Sequence, residues 1–152
     1  MTVAGMEDGQ RLDLIKDEYI MLQGFYEDID ERCITIKGWS ITVGLAALGA
    51  GFVYSENLFL GAFISGLLFW YLEGYWRGLS FFFARRILDI EEQMRDGTWK
   101  GMAPLQVYAA WDSTFVVYGK QTWRYMRKEP SLLPHVLMAV VGLALFLMRG
   151  MI

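Results

Sequence analysis

From Ile34 to Tyr54 the only charged residue is Lys37. At about 1.5 Å per helical residue, this run reaches across a hydrocarbon core of about 30 Å. Lys37, at its edge, can carry its ammonium to the headgroups along its own stem. Trp39 beside it is an aromatic anchor of the kind enriched at membrane interfaces. A polar break of three residues, Ser55-Glu56-Asn57, leads into a second apolar block, Leu58 to Trp76. Two spans joined so tightly must form an antiparallel hairpin. A third apolar run, Leu132 to Met148, lies near the lower length limit for a span. A re-entrant or surface-lying course for it stays open.

The fold class that follows is all-α. The expectation is an integral membrane protein with a transmembrane helical hairpin, a cytoplasmic helical stalk and a third, C-terminal transmembrane helix. The expected segments are 1–37 (amphipathic heptad helix), 38–76 (hairpin), 77–97 (helix), 98–130 (aromatic amphipathic segment) and 131–152 (third span).

The stalk is read from periodicity. Leu12, Ile15, Tyr19, Leu22, Tyr26, Ile29, Cys33 and Ile36 alternate spacings of three and four, a sustained a/d seam with acids on the opposite face. This predicts a helix over 11–36 that either continues into the first span as one rod or kinks at Gly38. The tyrosines and the cysteine suit packing within the chain better than a tight parallel dimer. The partner stripe is Phe83, Ile87, Ile90 and Met94 on the helix after the hairpin, which stops at Asp96-Gly97. Pro104 suits the first turn of a further helix. The 105–128 segment that follows, with Tyr108, Trp111, Phe115, Tyr118, Trp123 and Tyr125, reads as a helix lying at the interface or under the hairpin. Glu129-Pro130-Ser131 separates it from the third span.

Orientation comes from basic residues near the spans. The 55–57 turn has none, whereas Arg32, Lys37, Arg77, Arg85 and Arg86 sit on the other side. The turn is therefore expected outside, the N-terminus in the cytoplasm, the C-terminus outside, and the chain in the inner (cytoplasmic) membrane.

Composition excludes several functions. A net charge of −3 argues against nucleic acid as a partner. One cysteine and one histidine leave no disulfide, CxxC knuckle or bis-histidine haem within a chain. The sequence carries no nucleophile-elbow, zincin, phosphate-loop or dinucleotide motif, and no cleavable signal peptide is expected at its start. No enzyme activity, metal or cofactor is expected. His135, after Pro134 at the mouth of the third span, reads as an interfacial polar residue at a helix start, the alternative being an axial ligand to a pigment or haem.

The ionisable residue of most interest is Glu73, close to the end of the second span, with Arg77 one turn later on the same face. The pair reads as an interfacial anchor, or as a ring of carboxylates lining a cation constriction in an oligomer. Small residues four apart, Ala47 with Gly51, Gly61 with Ser65 and Ala62 with Gly66, together with Gly44, let helix backbones approach closely. They offer more faces than one two-helix contact needs, so a homo-oligomer in the lipid bilayer is expected, with a protein partner able to bind the cytoplasmic helices.

The cytoplasmic helix, the Arg32, Lys37, Gly38, Trp39 and Ser40 entry, the hairpin with its tiny outer turn, and the Trp76, Arg77, Arg85 and Arg86 helix resemble in architecture the small two-transmembrane SLATT-type effectors of bacterial conflict systems. The resemblance covers about residues 11–97, and the third apolar segment departs from it. It implies an oligomeric, pore-like or membrane-permeabilising protein controlled through its cytoplasmic helices. The alternative is a non-catalytic accessory or structural subunit of a larger membrane complex.

Overall fold

The computed structural model describes residues 6–114 and 118–149, with backbone alone at 110, 111, 113, 114, 118, 119 and 129. The described residues form five α-helices, α1 (Asp8–Val53), α2 (Leu58–Arg95), α3 (Val107–Thr114), α4 (Tyr118–Met126) and α5 (Glu129–Arg149), with a short 3-10 turn at Trp99–Gly101. Among the described residues there is no strand. Three helices, α1, α2 and α5, are long and apolar enough to cross a membrane.

The amphipathic segment and the first apolar run are one rod. α1 runs unbroken for 46 residues, about 70 Å at the helical rise, and Gly38 lies inside it. α2, with 38 residues, is continuous in the same way through Trp76 and Arg77. Both predicted boundaries, 37/38 and 76/77, therefore fall inside helices, so a force on the polar half of either rod is carried directly into its apolar half. The chain turns between them at 54–57, where the amides of Leu58, Phe59 and Leu60 bond the carbonyls of Ser55, Glu56 and Asn57.

In the polar half, Ile15 and Leu22 of α1, Ile90 of α2 and Met102 of the segment after α2 form a buried cluster, flanked by Tyr19, Phe83, Ile87, Trp99 and Val107. The seam lies between helices of one chain. It is rotated from the predicted one along one flank. Ile15, Leu22, Ile29, Cys33 and Ile36 are buried, but Leu12 and Tyr26 are 40% and 39% exposed. Arg11 and Glu18 are buried instead, because both hold the segment after α2. Arg11 donates to the carbonyls of Lys100 and Met102. Glu18 takes a two-pronged bond from Arg86, at 2.8 and 3.2 Å, and a 2.7 Å bond from the amide of Leu105. Arg86 also donates to the carbonyl of Ala103 at 3.1 Å.

That clamp corrects the reading of Pro104 as a helix start. Leu105 has a φ of 61°, in the left-handed region that is costly for a branched side chain, and the helix starts only at Val107. Within the predicted 105–128 segment, α3 and α4 are helical on either side of residues 115–117; those three residues, with Phe115 among them, and the side chains of Trp111 and Tyr118 lie outside the described residues. The chain thus reverses at the far end of the stalk, and α4 returns along α2. The bond from Trp70 Nε1 to the carbonyl of Met126 fixes its end at 2.9 Å. α5 then starts at Glu129, with Pro130 in its first turn, where a missing amide costs nothing.

α5 lies in the hairpin's groove at backbone contact distance. A Cβ on Gly66 would stand 2.7 Å from the carbonyl oxygen of His135, and one on Gly142 2.7 Å from that of Phe59. A Cβ on Gly44 would meet Met138 at 2.9 Å. Close packing of this kind is the main source of helix association in lipid.

Candidate functional site

Each apolar helix brings two polar residues to one level, where the apolar half of the rods gives way to the polar half. α1 supplies Lys37 and Ser40, α2 Glu73 and Arg77, and α5 Ser131 and His135. The spacing within each pair is three or four, so both side chains face the same way. Ser40, Glu73, Ser131 and His135 are all 0% exposed.

Glu73 is the hub. Its Oε1 accepts from Arg77 Nε at 2.7 Å and from Ser131 Oγ at 3.2 Å, with Lys37 Nζ 3.3 Å away. Its Oε2 accepts from His135 Nε2 at 2.8 Å. On the far side of the imidazole, Nδ1 lies 2.8 Å from Ser40 Oγ. A carboxylate has only lone pairs to offer, so the proton between Glu73 and His135 is on Nε2. In the neutral ring Nδ1 then accepts from the Ser40 hydroxyl. Arg77 continues the network outwards, its Nη1 lying 3.2 Å from Asp30 Oδ1 on α1.

Asp30 and Glu73 are met by Lys37 and Arg77. An isolated charge buried this fully would be very costly, and pairing with hydrogen bonds is what makes it tolerable. The order Ser40–His135–Glu73 has the connectivity of a nucleophile, base and orienting acid. The Ser40 hydroxyl is nevertheless fully enclosed, and Glu73 is shared with two cations. What the arrangement does as it stands is hold three helices in one register. Among the described residues no group of three or more His, Cys, Asp or Glu side chains is placed to hold a metal ion.

No family model, curated protein or solved structure matches this chain.

The predicted site residues have separate fates. Glu73 and Arg77 pair as their spacing suggests, but Glu73 faces the inside of its own bundle. In the folded chain that carboxylate is fully buried and bonded by residues of three helices. The small residues serve largely within the chain. Gly44 and Gly66 receive α5, Ala62 is fully buried, and Gly51 receives the ring of Phe59. Gly61 and Ala47 meet across the hairpin, with 3.7 Å from a Cβ on Gly61 to that of Ala47, and the Ser65 hydroxyl bonds the carbonyl of Ala62. In the stalk, the Tyr19 hydroxyl donates to Glu91 at 2.8 Å.

His135 is not an interfacial residue at a helix mouth. It is the buried contact by which α5 reaches both other helices. The signal in the sequence is the recurrence of polar pairs, Lys37 with Ser40, Glu73 with Arg77 and Ser131 with His135, at the same edge of three apolar runs.

Proposed function

We propose that this chain is a multi-pass protein of the inner membrane that works by changing how its third span packs, under the control of its stalk. Basic residues Arg32, Lys37, Arg77, Arg85 and Arg86 favour a cytoplasmic stalk and an outer 55–57 turn. The observation that carries the reading is the position of Glu73: one carboxylate takes bonds from all three long helices where stalk meets spans. A partner that grips the stalk acts on α1 and α2 as levers, and on α4, which leads directly into α5. With the lock open, α5 leaves the groove and the faces at Gly44, Ala62 and Gly66 become available to further copies. Assembly of those faces is the route to a pore-like or permeabilising state, the behaviour implied by the resemblance to SLATT-type effectors.

The test is dye release from liposomes together with particle mass. Glu73→Ala is expected to raise leakage and to shift the protein from a small particle to a discrete larger one, while wild type stays tight until the stalk is engaged. A tight monomer or dimer in both forms contradicts the effector reading.

A second reading, an accessory subunit of a larger membrane complex, draws on a different observation. Between residues 38 and 72 the only charged residue is Glu56 in the turn, and Glu73 is enclosed, so no charged side chain is left on the spans to line an aqueous path. That reading expects a tight particle and a stoichiometric membrane partner on affinity capture.

A further inference from the structure

Beside the Glu73 network, on a flank that α5 does not cover, α1 and α2 enclose an open groove of about 540 Å³. Its lining has two ends. Towards the spans it is aromatic, with Trp39, Phe69 and Trp76; towards the stalk it carries Asp28, Glu31 and Arg32. The Arg32 guanidinium lies over the Trp76 ring, 5.2 Å from its centroid, which fixes its place while leaving its edge for an acceptor. Among the described residues neither Asp28 nor Glu31 forms an ion pair. Trp39 stands 63% exposed at the mouth. An apolar trough that ends in two carboxylates and one guanidinium, at the level of the tryptophan belt, has the polarity of a single lipid molecule lying along the helices.

We propose that this groove binds a zwitterionic phospholipid with a primary amine in its headgroup, of the phosphatidylethanolamine class. The inference rests on the reading that the apolar helices lie in a membrane. Arg32 meets the phosphate, Asp28 and Glu31 take the ammonium protons, and an acyl chain follows Trp39 and Phe69. The two carboxylates select the headgroup. An anionic lipid such as phosphatidylglycerol brings a phosphate but no cation, and is repelled. A choline headgroup brings a cation with no N–H to donate.

The groove's tryptophans give the readout. The full chain is reconstituted in phosphatidylcholine liposomes doped with phosphatidylethanolamine, phosphatidylglycerol or phosphatidylcholine bearing brominated acyl chains, and tryptophan quenching is followed with dose. Brominated phosphatidylethanolamine should quench saturably, with roughly five-fold preference over the other two, the scale expected of exposed charge pairs. The double variant Asp28→Asn/Glu31→Gln, altered only at exposed positions, should lose that preference, and Trp39→Phe should lose much of the saturable signal. Equal quenching by all three lipids, preference for phosphatidylglycerol, or preference that survives the double variant would overturn the proposal. Retention of the chain in the liposomes after an alkaline wash reports separately on the membrane reading. A retained chain without headgroup preference fails the groove alone, and a chain washed away fails both.

Discussion

His135 Nε2 on α5 and Glu73 Oε2 on α2 lie 2.8 Å apart, both fully buried, although 62 residues separate them in sequence. This bond ties the last helix to the hairpin. On the other side of the same ring, Ser40 ties it to α1.

Removing the hub should cost more than its own contacts. Glu73→Ala leaves Lys37 without its counter-charge, Arg77 with Asp30 alone, and His135 and Ser131 without this acceptor. Loss of one partner of a buried pair typically costs about 3–5 kcal/mol. Glu73→Gln keeps shape and an acceptor, and should cost about 1–3 kcal/mol. Reversible unfolding in mixed detergent measures both. In a double-mutant cycle with His135→Phe the two costs should be strongly non-additive.

The stalk clamp predicts a local effect at a distant turn. Glu18→Ala removes the acceptor of the Leu105 amide and the partner of Arg86, so the 99–105 segment should loosen while α1 and α2 stay helical. Hydrogen exchange at the Leu105 amide should accelerate, and cleavage at Lys100 by trypsin should appear. Arg86→Lys should mimic the effect, because an ammonium cannot reproduce the two-pronged contact.

Much of this fold was legible because it depends on runs and periods. Charge-poor stretches give the apolar parts of the three long helices, and the seven-residue rhythm of Ile15, Leu22, Ile29 and Ile36 gives the α1–α2 seam. Periodicity misled at Arg11 and Glu18, which look like solvated positions and are buried only because the returning chain at 100–105 brings them partners. The site failed for a similar reason. His135 finds its bonds 62 and 95 residues away, and nothing local distinguishes it from a polar helix start. Glu73 stood out because Arg77 is local.

The groove for α5 predicts a sharp contrast among glycines. Gly66→Ala pushes a methyl against the backbone of His135 and Ala139, which cannot yield as a flexible side chain would. Overpacking of this kind costs about 1–3 kcal/mol and should weaken the α5 contact, seen as faster proteolysis between α4 and α5. A Cβ on Gly49 meets nothing within 4 Å, so Gly49→Ala should stay within about 0.5 kcal/mol of wild type.

Cys33, fully buried in the seam, should react slowly. Burial pushes its thiol from 9.0 up to about 11, against the pull of Arg77 towards the thiolate. Maleimide labelling of the folded protein at pH 8 should be far slower than in denaturant. Because the folded value is the raised one, the seam's contribution is complete below pH 9 and is lost as pH rises from about 9 through 11. Cys33→Ala should flatten that alkaline decline.

The chain has one histidine, so ¹⁵N-histidine labelling reports His135 alone, and its ring nitrogens test the three-helix lock most directly. In bilayer nanodiscs the account predicts a single tautomer, with the proton on Nε2 and slow exchange with water. Glu73→Gln should shift Nε2 and Ser40→Ala should shift Nδ1. A ring that averages between tautomers, exchanges freely with water and ignores both substitutions would contradict the lock.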